Sequence, residues 1–144
     1  MGARTTKNNE EYKQVSGNSE LYSDFTNSFL PHPNTGQVTR RRNVDSVKQS
    51  LRNLILTNKY ERLRNPTFGG NIRRYLFEDV NDITAYEIKS DIEYLIKEYE
   101  PRVRLIEVRV DPSENNNAMN VFIRFGVFSF TEDTSLDIQL YRVR

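Results

Sequence analysis

Residues 96–110 read IKEYEPRVRLIEVRV, and the fold turns on how that stretch is parsed. Upstream, Ile88, Ile92, Leu95, Ile96 and Tyr99 recur at helical spacing, the mark of one buried helix face. Downstream, apolar and charged residues alternate, as in a half-buried strand. Only Glu100-Pro101-Arg102 stands between the two. Pro101 has no N–H to donate and disfavours helical geometry at Glu100, so the helix must end there. Val103 and Leu105 point one way; Ile106, Val108 and Val110 continue that side after a change of phase, which predicts a bulge.

Thr84-Ala85-Tyr86-Glu87 fits a capping box at the start of this helix, with hydroxyl and carboxylate each taking a free N–H. Further upstream, Val47, Leu51, Leu54 and Ile55 in NVDSVKQSLRNLILTN mark another helix face, with Asn43 or Asp45 as cap and Asn58 as stop. Between them, Pro66 and Gly69-Gly70 make a loop, since Gly supplies positive φ. A short helix follows, turning Ile72, Leu76 and Tyr75 inward. Downstream, DPSENNN and TEDTS are turns flanking AMNVFIRFGVFSF. Its Val121, Ile123, Phe125 and Val127 share one face; Phe122, Phe128 and Phe130 share the other. In the final segment, LDIQLYRVR, Leu136, Ile138 and Leu140 face the core. The aromatics, eight Tyr and eight Phe without Trp, are expected mostly in the core at strand positions.

The order is arm, three helices, three strands. It predicts an α+β domain, with about three helices on one face of a small, mostly antiparallel sheet. Residues 1–36, poor in aliphatics, form an extended polar N-terminal arm; residues 37–144 form the domain. The last strand is expected at a sheet edge, where unpaired N–H and C=O groups invite strand addition.

The 144 residues suit one ordinary domain, or a smaller domain with an arm. Mean hydropathy is −0.74, polar for a compact enzyme. No apolar run reaches the length of a membrane span, and the N-terminus lacks the apolar stretch of a secretory signal. Without cysteine there are no disulfides, thiolate nucleophiles or zinc–thiolate sites. The single histidine, His32 between two prolines, reads as a loop residue, and a lone His builds neither a triad nor a metal site. No pair of carboxylates is marked as facing across a cleft, as a glycosidase needs. NPTFGGN lacks the Lys-Ser/Thr of a P-loop. No cofactor, metal or catalytic residue is expected.

Charge is segregated although its sum is +1. Residues 38–64 carry eight basic side chains against Asp45 and Glu61, and residues 76–100 eight acids against Lys89 and Lys97. Such asymmetry brings complementary patches together, or leaves solvated faces that offset one another. Arg40-Arg41-Arg42 resembles a phosphate-binding run, but near-zero net charge and nearby acids favour an acidic protein surface, so neither nucleic acid nor membrane is an expected partner.

Pro66-x-Phe68-Gly69, Leu76-Phe77-Glu78, Thr84 at a helix start and Glu100-Pro101-Arg102 at its end occur in an order that resembles the GPW family of baseplate proteins. The α-helical SVKQSLRNLILTN and the LYSDF of the arm are similar to it too, so the likeness runs over residues 20–143. The family comprises the small wedge subunit of contractile-tail phages and its type VI secretion relative, the sheath initiator. The resemblance implies a structural component of the virion's tail baseplate, assembled in the host cytoplasm. It implies that Glu100, Pro101 and Arg102, flanked by Tyr99, dock on the helical core bundle of the large wedge subunits. It implies that Leu136, Asp137, Ile138, Gln139, Leu140, Tyr141, Arg142 and Val143 accept strands from the sheath protein and template its first ring. Tube or hub proteins are the expected partners of the arm. The family's older label, lysozyme-like, gives the competing expectation of a peptidoglycan hydrolase. The turn admits two readings: a rigid pair of opposite charges held for a partner, or a pair satisfied within its own fold.

Overall fold

The computed structural model describes residues 20–79, 81–113 and 118–141. Eight elements follow in chain order: β1 (Ser23–Phe25), β2 (Arg40–Arg42), α1 (Asn43–Leu56), α2 (Ile72–Tyr75), α3 (Asp82–Tyr99), β3 (Val103–Ser113), β4 (Ala118–Val127) and β5 (Asp133–Tyr141). The last three form an antiparallel sheet in the order β3-β4-β5. β1 and β2 make a separate antiparallel pair. The architecture is α+β, as the periodicities require.

The helices bury their apolar stripes against one sheet face. Val47, Leu51, Leu54 and Ile55 of α1 meet Ile88, Ile92, Leu95 and Ile96 of α3 over Val121, Ile123, Phe125 and Val127 of β4. Ile138 and Leu140 of β5 close the same core, with Leu136 partly buried beside them. Phe125 is fully buried at the centre, and its truncation to Ala is worth about 3–5 kcal/mol in such a setting.

Aromatics do not build that core. Phe125 is the one aromatic among its fully buried members; Phe25, Phe77, Tyr86, Tyr94, Phe128 and Tyr141 are exposed. Apart from Phe125, the inward register positions of β4 and β5 are taken by Val, Ile, Met and Leu, which leaves the other rings for the periphery.

The bulge in β3 is present, at Ile106: Leu105 pairs with Phe125 and Glu107 with Arg124. Ile106 itself is 39% exposed, so it does not share the inward side with Val108 and Val110. The extra residue absorbs the phase change and is turned out. Two expected turns are shorter than their composition suggested. β3 continues through Asp111-Pro112-Ser113, opposite Asn120, Met119 and Ala118, and β5 already begins at Asp133. Residues 114–117 lie outside the described residues. Long ladders on β4 override local turn propensity at both ends.

Both helix caps differ from expectation. α3 begins two residues before Thr84. Asn81 is the N-cap, its side chain accepting from Thr84 N at 2.9 Å, while the Thr84 hydroxyl donates to Asp79 O. Thr84 is thus the third residue of the helix, and Glu87 lies a turn beyond any capping position. At α1 the N-cap is Arg42, with no side-chain cap bond. Asn43 Oδ1 instead accepts from Leu21 N at 3.0 Å, which ties the incoming chain to the helix start. α1 gives way at Thr57, whose hydroxyl donates back to Asn53 O.

Among the described residues, the segment before α1 is tied to itself and to α1 at several points. Thr26 N bonds Thr39 O, Asn43 N bonds Tyr22 O, and the Gln49 side chain, 6% exposed, donates to Phe25 O. Among the described residues no helix is long and apolar enough to cross a membrane.

Candidate docking sites

The end of α3 is a closed electrostatic unit. Glu100 N still bonds Ile96 O, the last helical bond before Pro101. The chain reverses over Pro101-Arg102, with Val103 N on Glu100 O and Phe128 N on Arg102 O. Glu100 is only 4% exposed. Its carboxylate takes Ser50 Oγ at 2.7 Å and a fork from Arg102, Nε to one oxygen and Nη2 to the other at 2.8 Å. Burial alone pushes this carboxyl up, but the hydrogen bonds from Arg102 and Ser50 and the guanidinium charge outweigh it, leaving it below the ordinary carboxylate value. The same Glu100 bond raises Arg102 against its own partial desolvation.

Arg102 is the member that reaches the surface, its side chain 34% exposed. Its guanidinium lies 5.2 Å from the Tyr22 ring centre, within cation–π range. Tyr22 in turn hydrogen-bonds Ser129 at 3.0 Å and meets Phe130 edge-on. One turn therefore gathers the segment before β1, α1, the end of α3, the start of β3 and the loop after β4. Tyr99 sits on the other flank, its hydroxyl on Thr67 O at 2.7 Å and its ring against Phe68. The Glu100–Arg102 pair is satisfied inside its own fold, and Pro101 and part of Arg102 face outward.

Ser50, Tyr22 and Ser129 were not singled out from sequence. A signal existed for Ser50. It lies three residues after Val47 and four before Leu54, on the inward side of α1, where a polar residue needs a buried partner. Tyr22 and Ser129 are 107 residues apart, and nothing local announces such a pair.

The second candidate is β5. It pairs with β4 over an unbroken register, Ala118↔Tyr141 to Gly126↔Asp133, and with nothing else among the described residues. Ile138 and Leu140 point inward at 2% and 4% exposure, while Asp137, Gln139 and Tyr141 face out. Tyr141 donates to Gln139 Oε1 at 2.6 Å along that outer face. Arg142 and Val143 lie outside the described residues. The opposite edge, β3, is interrupted by the bulge at Ile106 and by Pro112, and is lined with Arg104, Glu107, Arg109 and Asp111, the usual defences of an edge strand.

Catalytic chemistry finds little to work with among the described residues. No group of His, Asp and Glu is arranged to hold a metal ion. His32 is exposed in its loop, with Nδ1 accepting from Asn34 N. The 480 Å³ groove beside α1, lined by Arg42, Asn43, Val44, Asp45, Phe130, Thr131 and Glu132, is shallow and open. The one buried carboxylate among the described residues, Glu100, is neutralised by Arg102.

Residues 41–128 match the family model described as baseplate wedge protein gp25. The baseplate wedge protein gp25 of Enterobacteria phage T4 is 33% identical over 115 residues, 80% of this chain and 86% of that protein. Among solved structures, a Geobacter sulfurreducens protein described as a tail lysozyme superposes with a TM-score of 0.62 at 25% identity, over 68% of this chain and 89% of that one. A chain of the anti-feeding prophage baseplate, solved by cryo-electron microscopy, gives 0.59 at 25% identity over 84% and 85%. A chain of the type VI secretion baseplate complex gives 0.56 at 17% identity over 69% and 93%, a likeness of fold.

Proposed function

The chain belongs to the family of baseplate wedge protein gp25 and is a component of a phage tail baseplate; from that premise we propose that it docks within the wedge through the turn at the end of α3 and offers β5 to the tail sheath. The observation that carries the docking half is the closed turn. Glu100 is a positioning residue, buried and fully bonded. It fixes Arg102 beside Pro101 before any partner arrives, so little side-chain entropy is left to lose on binding. The partner is the helical core bundle of the large wedge subunits, its acidic or carbonyl groups taking the Arg102 N–H groups that Glu100 leaves over. Tyr99 borders the same surface.

Strand addition is the second half. β5 presents a regular, unbulged edge, whereas β3 carries three kinds of blockage. Sheath strands pairing along residues 136–143 would extend the sheet and set the register of the first ring. The arm, residues 1–36 by composition, then faces tube or hub proteins.

Co-purification with the large wedge subunits tests the docking. Wild type is expected to bind and Arg102→Lys, which keeps the charge but loses the fork, to bind more weakly, with circular dichroism unchanged. Equal binding by a folded Arg102→Lys and a folded Glu100→Ala protein defeats the proposal.

The description of the Geobacter relative favours a second reading, peptidoglycan hydrolysis. A retaining or inverting glycosidase needs a carboxyl raised to act as acid, and Glu100, the buried one, is shifted downward. We therefore read the role as structural. Release of muropeptides from purified peptidoglycan by the isolated chain would reverse that reading.

A further inference from the structure

α3 carries two apolar faces, and the core uses one. Ala85, Ile88, Ile92, Leu95 and Ile96 are buried. On the opposite side, Ile83, Tyr86 and Tyr94 are 73%, 72% and 59% exposed. Their spacing places them with Ser90 on a single stripe, about 16 Å long at the helical rise per residue. Scattered exposed apolar groups need no explanation; large side chains aligned on one helix face mark an interaction surface. Phe77, in the turn leading to α3, is exposed as well.

The charges bordering the stripe indicate its occupant. Asp82 and Glu93 flank one side, Glu87 and Glu98 the other. Glu93 is paired with Lys89 at 3.9 Å. Asp82, Glu87 and Glu98 have no ion pair among the described residues, against Lys97 as the one unpaired cation of the helix. The surface is an aromatic ridge that also carries Lys97 beside Ser90, with one acidic margin along Glu87 and Glu98 and with Asp82 at its N-terminal end, the Glu93 charge being offset by Lys89. Packing of such a ridge suits the groove of another helix.

We propose that the outer face of α3 docks a basic amphipathic helix of another baseplate protein, its apolar residues on Ile83, Tyr86 and Tyr94 and its Lys or Arg residues against Glu87, Glu98 and Asp82. The proposal rests on the baseplate reading and adds a second contact to it, distinct from the turn at Arg102. It also gives a role to those acids of residues 76–100 that the fold leaves on the surface of α3.

A photoreactive benzoylphenylalanine at position 86, and separately at 94, in otherwise intact chain incorporated into tails, reads the contact directly. Crosslinks are expected to an apolar segment bordered by Lys or Arg in a different baseplate chain. Crosslinks to residues 1–19 of the same chain, to a second copy, or to an acidic segment overturn the proposal. So does an unreacted probe in assembled tails. A chain absent from tails altogether overturns the baseplate reading and this one with it. The paired reversal Glu87→Lys and Glu98→Lys, at positions with no ion pair among the described residues, is expected to lower incorporation about tenfold by like-charge repulsion. Unchanged incorporation of that folded variant removes the basic partner.

Discussion

The turn at the end of α3 and the outer edge of β5 are two of the places where this molecule is proposed to meet others, and they are built on opposite plans. At the turn, every buried side-chain polar group finds a partner inside the chain. Glu100 is bonded by Ser50 and Arg102, Arg102 lies on Tyr22, and Tyr99 bonds Thr67. At β5 the partner row stops: the strand has β4 on one side and nothing among the described residues on the other. The first plan offers a fixed shape, so its binding depends on how well side chains are held. The second offers unmet main-chain groups, so its binding depends on a regular backbone. Mutations should therefore act through stability at the turn and without it at the edge.

The largest break is expected in the loop that backs Tyr99. Gly69 has φ +101°, and a Cβ there would run into the Thr57 carbonyl. Gly69→Ala should cost about 2–4 kcal/mol through backbone strain and clash, read as a lower midpoint in urea. It should weaken docking as well, since Phe68 and Thr67 hold Tyr99 from this loop. A stability loss below the measurement error would show the turn to be less tightly supported than its contacts indicate.

Glu100→Ala comes next. It leaves Arg102 without its fork and Ser50 without an acceptor, a loss of about 1–3 kcal/mol by chemical denaturation. Arg102→Lys keeps the charge and should cost about 1 kcal/mol or less while still impairing the partner contact. Equal losses for the two would mean that the fork geometry contributes nothing.

Acid sharpens the same point. The folded Glu100 carboxyl lies below its ordinary value of about 4.5. Its contribution is therefore fully present above that pH and fades as pH falls through the depressed folded value. The stability gap between wild type and Glu100→Gln should stay constant at neutral pH and narrow only below about 4.5. A gap that narrows between pH 6 and 8 would point to another group.

The helix-to-strand junction was readable because Pro101 has one physical meaning there, and the two periodicities on either side of it are long. The bulge was readable for the same reason, though not which residue it would expel; that is decided by the pairing partner on β4, which the local pattern does not contain. The caps were misplaced because Thr84 and Asn81 are both good cap residues, and the choice fell to Asp79, whose carbonyl receives the Thr84 hydroxyl. Glu100 and Arg102 stood out as a pair, but Ser50 and Tyr22, 50 and 80 positions upstream of them, did not. Long-range polar contacts leave no period in a sequence. The edge position of β5 followed from strand order alone, while the defences of β3 required knowing that it too is an edge.

The smallest effect on folding, and the cleanest on assembly, belongs to β5. Tyr141 is 60% exposed and bonds only Gln139 on the outer face, so Tyr141→Ser should change stability by no more than about 0.5 kcal/mol. Side-chain changes of this kind should leave strand addition largely intact, because the ladder is made by the backbone. Hydrogen exchange separates that idea from ordinary side-chain docking. In an antiparallel edge strand, alternate N–H groups point at the neighbour and at solvent. In the free chain, every second amide of residues 133–141 should exchange fast. Once sheath polymerises on the baseplate, that fast set should slow to the rate of its inward-bonded neighbours. A fast set that persists beneath an assembled sheath ring would mean that the sheath contacts the protein elsewhere and that β5 remains an open edge.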